Sequence, residues 1–406
     1  MGNTQMRDLL PILKSLKSNY GASLLFIFQV AITFTILVNA IYLAIDKRQS
    51  IARPSGLDEQ NVLYIATNLP VEEAAQAGQL EQDLNNLSAL PGVEYASVSS
   101  GVPLSGWGRF IEIATKPDSK YDTFSGYYGG DLNLLKAFGA KLVAGTEFTP
   151  SAELTVRTDG HKDAIDIMIT QSLAESLYSD QWEQVVGKTI YINNKPQRVV
   201  GVIDTLQAAW PTWVVVEHVV LAPVKEADSM VYYVIRTRFG QQDAVLDSAL
   251  TYLTSLYGRK IDKYETFEQV KMNAYSAENA ASNTLFGVIG GLLIVTALGI
   301  FGQSRYSIIK RTKLIGIRRA MGASKGQIIR YFVLENAVLC AIGIVIGIIA
   351  AIILSNAFSS AFELGTLPPS YMFFGSICTI LLGQIAVLYP AFKASQLSPA
   401  IATRTV

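Results

Sequence analysis

Charged residues leave four long gaps along the chain. Residues 18–45 are uncharged between Lys17 and Asp46, and 279–304 between Glu278 and Arg305. Residues 336–362 separate Glu335 from Glu363, and 364–392 separate Glu363 from Lys393. Each gap exceeds the roughly 20 apolar residues that carry a helix across about 30 Å of hydrocarbon. No other uncharged run is both long and apolar enough. Four spans are expected, at 20–45, 284–304, 331–356 and 371–391, one before a long polar region and three after it. The first run also fits a cleaved signal peptide, since basic residues precede it and Val38-Asn39-Ala40 is small. Its length, near that of a full span, argues for retention.

Between the first two spans the pattern changes to short apolar runs broken by turn residues. Strands are predicted at Val62–Ala66, Val93–Ser99, Ile111–Ala114, Ile165–Thr170, Thr189–Ile192, Arg198–Ile203, Trp213–Leu221 and Met230–Arg236. They are rich in Val, Ile and Tyr and punctuated by Pro91-Gly92, Val186-Gly187 and Asn193-Asn194. Helices are predicted at 71–90, 171–182 and 241–258. The result is an α+β domain over 46–261, large enough for its own core, with two subdomains divided near the polar stretch 150–163. Residues 262–283 carry few turn signals and are expected to form a continuous helical stalk running into the second span. Residues 1–19, with Leu9, Leu10, Ile12, Leu13 and Leu16 opposite Lys14 and Lys17, read as an interfacial amphipathic helix or a solvated lead-in.

Charge sets the sidedness. The segment 305–330 holds Arg305, Lys310, Arg311, Lys313, Arg318, Arg319, Lys325 and Arg330 and no acid. Arg7, Lys14 and Lys17 precede the first span, and the tail 392–406 adds Lys393 and Arg404. Residues 46–283 instead carry 30 Asp/Glu against 20 Lys/Arg. Short basic segments stay in the cytoplasm, so both termini are expected there, with the large domain and the short loop 357–370 outside it. In a bacterium this is an inner-membrane protein with a periplasmic domain. Composition agrees: 50% of the 406 residues are hydrophobic, 16% are charged and mean hydropathy is +0.30. Cys340 and Cys378 both fall within spans, so the exported domain has no disulfide.

The basic segment also has internal design. Gly322 suits the left-handed residue that ends a helix. Ser324 then caps the next helix, with Gln327 completing a capping box. A tight helical elbow results, in which Ile315, Ile317 and Met321 lie among arginines, a composition suited to protein contact. A positive-inside anchor or an anionic membrane-lipid contact is the plainer reading. The segment is too short and apolar for nucleic acid. Within the spans, Gly287 with Gly291 and Gly343 with Gly347 are spaced for close helix packing, either within one subunit or at a dimer seam. No charge sits mid-span, which disfavours an ion-coupled transporter.

Catalytic chemistry is not evident. Gly187-Lys188-Thr189 has the end of a phosphate-binding loop, but Trp182 occupies the position of its first glycine, so a turn before a strand is expected. His161 and His218 lack neighbours at metal-ligand spacing, and no nucleophile elbow or His-Glu-x-x-His helix occurs. No catalytic residue, metal site or cofactor is assigned to this chain.

The stretch KRTKLIGIRRAMGASKGQII, followed by Leu334-Glu335, resembles the loop of FtsX-like permeases of the MacB type, a class of ABC transporter. The tail YPAFKASQLSPAIATRT resembles that family's ending. LSALPGVEYASVSSGVPLSG, YYGGDLNLLKAFGAKLVAGTEF and VVGKTIYINNKPQRVVGVI look like its periplasmic core. The resemblance implies a dimerising permease subunit bound to a cytoplasmic ABC ATPase on a separate chain, which holds the ATP and Mg. It implies that ATP-driven closure is relayed mechanically to the periplasm. By position, Ile315, Gly316, Ile317, Arg318, Arg319, Ala320, Met321, Gly322, Ala323 and Ser324 form the ATPase contact. The family commonly carries Glu just before the Ile-Gly pair, where this chain has Leu314. This departure fits one half of a heterodimer with a more typical paralogue. A periplasmic adaptor and an outer-membrane channel are further implied partners. Lipoprotein release and non-transporting signal transmission are the alternative functions.

Overall fold

A computed structural model of the chain describes residues 20–70, 73–152, 154–156, 165–226, 230–362 and 367–397. The amphipathic segment 1–19, His161 and the tail beyond 397 lie outside them. Two compact units are formed, one by Met1–Ile51 with Glu278–Val406 and the other by Ala52–Ala277.

The first membrane-length helix is α1 (Tyr20–Ala52). The second unit then opens with β1 (Val62–Asn68), α2 (Glu73–Ser88) and β2 (Val93–Ser99). It continues with β3 (Arg109–Ala114), β4 (Thr123–Gly129), α3 (Leu134–Phe138), β5 (Leu142–Gly145), β6 (Leu154–Val156), β7 (Asp166–Thr170) and α4 (Gln171–Tyr178). After these come β8 (Thr189–Ile192), β9 (Lys195–Ile203), β10 (Val219–Ala222), β11 (Val224–Glu226) and β12 (Met230–Thr237). It ends with α5 (Gln242–Ser255), β13 (Ile261–Thr266) and α6 (Phe267–Ala274).

Two main sheets organise this unit, but not as successive halves. The antiparallel sheet β13-β1-β12-β2 joins both ends of the unit. The seven-stranded sheet β5-β9-β7-β10-β4-β3-β8 is inserted between them and closes on itself, because β8 also pairs with β9. The division expected near 150–163 is therefore replaced by an insertion spanning β3 to β10. Strand pairing at such sequence separation leaves no local trace. Leu63, Ile65, Tyr233 and Ile235 pack against Leu80, Leu84 and Leu87 of α2 and Val245, Ala249 and Leu253 of α5. Ile113, Ile167, Ile169, Ile190, Val199 and Val220 fill the closed sheet.

Asp83 and Arg259 form a buried ion pair beside the first sheet. Tyr233 and Tyr252 donate to the same carboxylate, Gln79 donates to it at 2.8 Å, and Arg259 Nη1 donates to Asn68 O at 2.7 Å. Three acceptances beyond the ion pair offset the cost of burying the charge. They hold the turn before β13 against α2.

The expected stalk is not one helix. Residues 261–266 form β13, α6 follows with a Thr266–Gln269 capping box, and a break at Tyr275 precedes α7 (Ser276–Lys310). The sequence IDKYET carries charges because β13 is an edge strand, so no buried alternation reveals it. Likewise 211–217 is mostly turns, and only Val219–Leu221 of the predicted strand Trp213–Leu221 is extended.

The membrane unit continues with α8 (Thr312–Ala320), α9 (Lys325–Phe362) and α10 (Pro369–Ser395). α1, α7, α9 and α10 are long and apolar enough to cross a bilayer. Phe26, Val30, Phe34 and Val38 of α1 pack with Ile300, Leu339, Cys340, Ile344 and Ala351. Uncharged polar pairs join α1 to α7: Thr33 and Thr296 hydroxyls meet at 2.9 Å, and Gln303 donates to Gln29 Oε1 at 3.0 Å.

Candidate functional site

The elbow forms as its residue types dictate. Gly322 takes φ +94°, and its N–H donates to Arg319 O at 3.1 Å while Ala323 N–H donates to Arg318 O at 3.0 Å. These two bonds are the Schellman ending that a left-handed glycine permits. Ser324 N–H then donates to Gln327 Oε1 at 2.8 Å, and Gln327 N–H donates to Ser324 Oγ at 3.3 Å, completing the capping box that starts α9.

Its two faces differ. Ile315 is 4% exposed and packs with Ile308, Ile328, Phe332, Ala391 and Ala394; Gly316 is buried beside it. Both face the neighbouring helices of this unit and not the outer surface of the elbow. Leu314, Ile317 and Met321 form the exposed apolar face, with Met321 at 74%. Ala320, Gly322 and Ser324 are exposed near it and Ala323 is half-buried. Arg318 lies over the Tyr331 ring at 4.6 Å, and Arg319 donates to Ala323 O at 2.9 Å. Both arginines thus brace the elbow as well as charging it.

A second anchor is an ion pair. Arg311 Nη1 donates to both oxygens of Glu335, at 2.7 and 2.9 Å, and both side chains are nearly buried. It ties the junction of α7 and α8 to α9. Opposite charges 24 positions apart on different elements carry no periodic signal.

The glycine pairs separate. A Cβ on Gly343 would meet Val30 Cβ at 2.8 Å, and one on Gly347 would meet Phe34 Cδ1 at 2.9 Å, so this pair seats α9 on α1. Gly287 and Gly291 have no such neighbours and lie on an exposed strip of α7 with Val288 and Val295.

In the domain, Gln207 joins the two chain connections toward the membrane segments. It donates to Pro54 O at 3.0 Å through its side chain and to Ser55 O at 3.0 Å through its backbone, and accepts from Tyr275 at 3.2 Å. Lys271 reinforces this stem by pairing with Glu59 at 2.7 Å. Exposed Phe110 on β3 packs edge-on against half-buried Trp210 and Trp213, which also meet each other, and Trp107 nearby is exposed. Gly187-Lys188-Thr189 is a turn into β8, with Lys188 over the Tyr178 ring at 4.2 Å. His218 contacts Thr123 Oγ1 at 3.2 Å and Phe124 O at 3.3 Å, and burial lowers its pKa. Among the described residues no group of His, Cys, Asp or Glu is placed to hold a metal ion.

One span ahead of a large α+β domain, three behind it, and a capped elbow between the second and third define a permease architecture. The FtsX-like permease C-terminal model matches residues 286–399, and the MacB-like periplasmic core domain model matches residues 24–251. The chain belongs to the MacB/FtsX-like family of ABC transporter permeases, and it is an inner-membrane protein. It is 24% identical over 338 residues to the uncharacterized ABC transporter permease YknZ of Bacillus subtilis, covering 82% of this chain and 80% of that protein. It is 24% identical over 277 residues to the macrolide export ATP-binding/permease protein MacB of Escherichia coli, covering 65% and 41% respectively. With the pyoverdine export ATP-binding/permease protein PvdT of Pseudomonas syringae pv. tomato it shares 25% over 373 residues, 88% of this chain and 53% of that protein. The chain thus spans about half or less of the length of the latter two. The crystal structure of the periplasmic region of MacB from Actinobacillus actinomycetemcomitans covers 54% of this chain and 94% of its own, at 15% identity and TM-score 0.36.

Proposed function

We propose that this chain is the permease subunit of a MacB-type transporter. A cytoplasmic ABC ATPase on a separate chain binds its elbow, and ATP-driven movement passes through the spans to the periplasmic domain to export a substrate. The observation that carries the reading is the two-sided elbow. Leu314, Ile317 and Met321 offer a partner an apolar face, while Ile315 and the Arg311–Glu335 pair fasten the other side to the spans. A surface docked in this way transmits a push instead of yielding to it. The Gln207 and Lys271 stem supports receipt of that movement in the domain, since it binds the chain where it enters and leaves.

The basic elbow and the net acidic domain support cytoplasmic termini and a periplasmic 46–283. The open Gly287/Gly291 strip supports a seam with a second permease copy or paralogue. MacB and PvdT are named for export, which favours export over lipoprotein release or signalling, with an adaptor and outer-membrane channel as further partners.

Arg318 and Arg319 brace the elbow internally, so Ile317→Asp with Met321→Asp, both on the outer face, is the cleaner test. The ATPase is expected to be lost on co-purification while the permease still inserts and elutes normally. Undiminished ATPase binding would remove the assignment. A cysteine at Gly322 is expected to be labelled only from the cytoplasm, and labelling from outside would overturn the orientation.

A further inference from the structure

Between the elbow-side ends of α7 and α10 lies a cleft of about 350 Å³. Phe301, Ile308, Ile309, Tyr389, Pro390 and Leu397 give it an apolar wall, and Arg305 and Lys393 also line it. Phe301 and Tyr389 stack across the two helices at 6.1 Å. Ile308 and Pro390 are buried, whereas Ile309, Tyr389 and both cations are exposed, so the cleft has a packed floor and an open side.

Three observations converge on its occupant. Arg305 and Lys393 are the first charged residues after the uncharged runs 279–304 and 364–392, so each stands where hydrocarbon gives way to headgroups. Neither makes an ion pair among the described residues, and no acidic side chain lines the cleft. The wall beside them is aliphatic and aromatic, and exposed Tyr389 stands one helical turn before Lys393, a position that suits an interfacial tyrosine. A phosphodiester at the cations with an acyl chain along the wall satisfies all three. A peptide or second span would leave the cations unmatched, and a soluble phosphate would leave the wall wet. We propose that this cleft is a binding site for one anionic phospholipid, seated at the hinge between the second span, the elbow and the fourth span. The proposal rests on the four-span reading and not on the elbow's partner.

The test measures retention of dioleoylphosphatidylglycerol against dioleoylphosphatidylcholine by native mass spectrometry of the full chain in detergent. Arg305→Gln with Lys393→Gln is expected to weaken phosphatidylglycerol binding about 25-fold, roughly 5-fold per cation, with phosphatidylcholine unaffected. Lys313→Gln with Lys325→Gln removes the same charge from exposed elbow positions outside the cleft and is expected to change binding less than about 2-fold. Ile309→Trp, which fills the open side and keeps both cations, is expected to abolish preferential binding. Equal losses in the two charge pairs would mean diffuse attraction to a basic face and overturn the site. So would displacement of the lipid by millimolar inorganic phosphate, which would assign the cations to a free anion.

Discussion

If the elbow is fastened by Arg311 and Glu335, Glu335→Gln is expected to loosen it without unfolding the spans. The substitution keeps the shape of the side chain but leaves Arg311, only 12% exposed, without its counter-charge. Removing one partner of a buried pair costs about 3–5 kcal/mol, and the slight exposure here places the cost near 3 kcal/mol. The other anchor, burial of Ile315, contributes only about 1.5–3 kcal/mol. Arg318 over the Tyr331 ring adds only about 0.5–1 kcal/mol at this partly exposed site, so the loss is comparable to what remains and local undocking of α8 is the expected result. Hydrogen exchange reads it directly: backbone amides of 315–321 are expected to exchange about 100-fold faster, with α9 amides unchanged. ATPase activity of the reconstituted complex should persist but lose its dependence on the permease. The swap Arg311→Glu with Glu335→Arg restores opposite charges and is expected to recover most of the protection. Unchanged exchange in Glu335→Gln, or a swap no better than the single variant, would refute the anchor.

Asp83→Asn leaves Arg259 buried without a counter-ion and is expected to destabilise the periplasmic domain by about 3–5 kcal/mol. All four tryptophans lie in that domain, so selectively excited tryptophan fluorescence of the intact protein follows its unfolding. Gly347→Val drives a side chain into Phe34 and Ala31 O and is expected to lower the melting temperature of the spans by the equivalent of about 1–3 kcal/mol. Gly291→Val, in open space, should not affect the monomer, so dissociation of a purified dimer would locate the seam. For His218, burial lowers the folded pKa below 6.5, so protonation costs more in the folded state than in the unfolded one. Stability is complete above pH 6.5 and falls as pH drops from there toward the folded pKa. His218→Gln is expected to flatten that slope in thermal melts between pH 7.5 and 5.5.

Wherever a feature depended on neighbours within a few residues, it could be read from the residues alone. Four uncharged runs specified the spans, because a helix in lipid satisfies its own backbone and needs only length and apolarity. Gly322, Ser324 and Gln327 specified the elbow, because caps are local bonds. Most strands of the closed sheet were also legible from their Val and Ile content. The strand β4, with its TFSGYYG glycines, and the polar edge strand β13 were not, since each is extended only because partners from elsewhere pair with it.

What the tertiary structure decided was how distant segments face one another. It turned Ile315 and Gly316 inward and left Ile317 and Met321 outside, a choice made by the α9 and α10 surfaces against which α8 packs. It separated two glycine pairs of identical spacing, one closed against α1 and one open. It joined Arg311 to Glu335, and set Arg305 beside Lys393 around a single cleft. A sequence carries its bonds along the chain as spacing. Contacts between segments far apart in the chain arise from packing, and packing is resolved only when the helices and sheets meet.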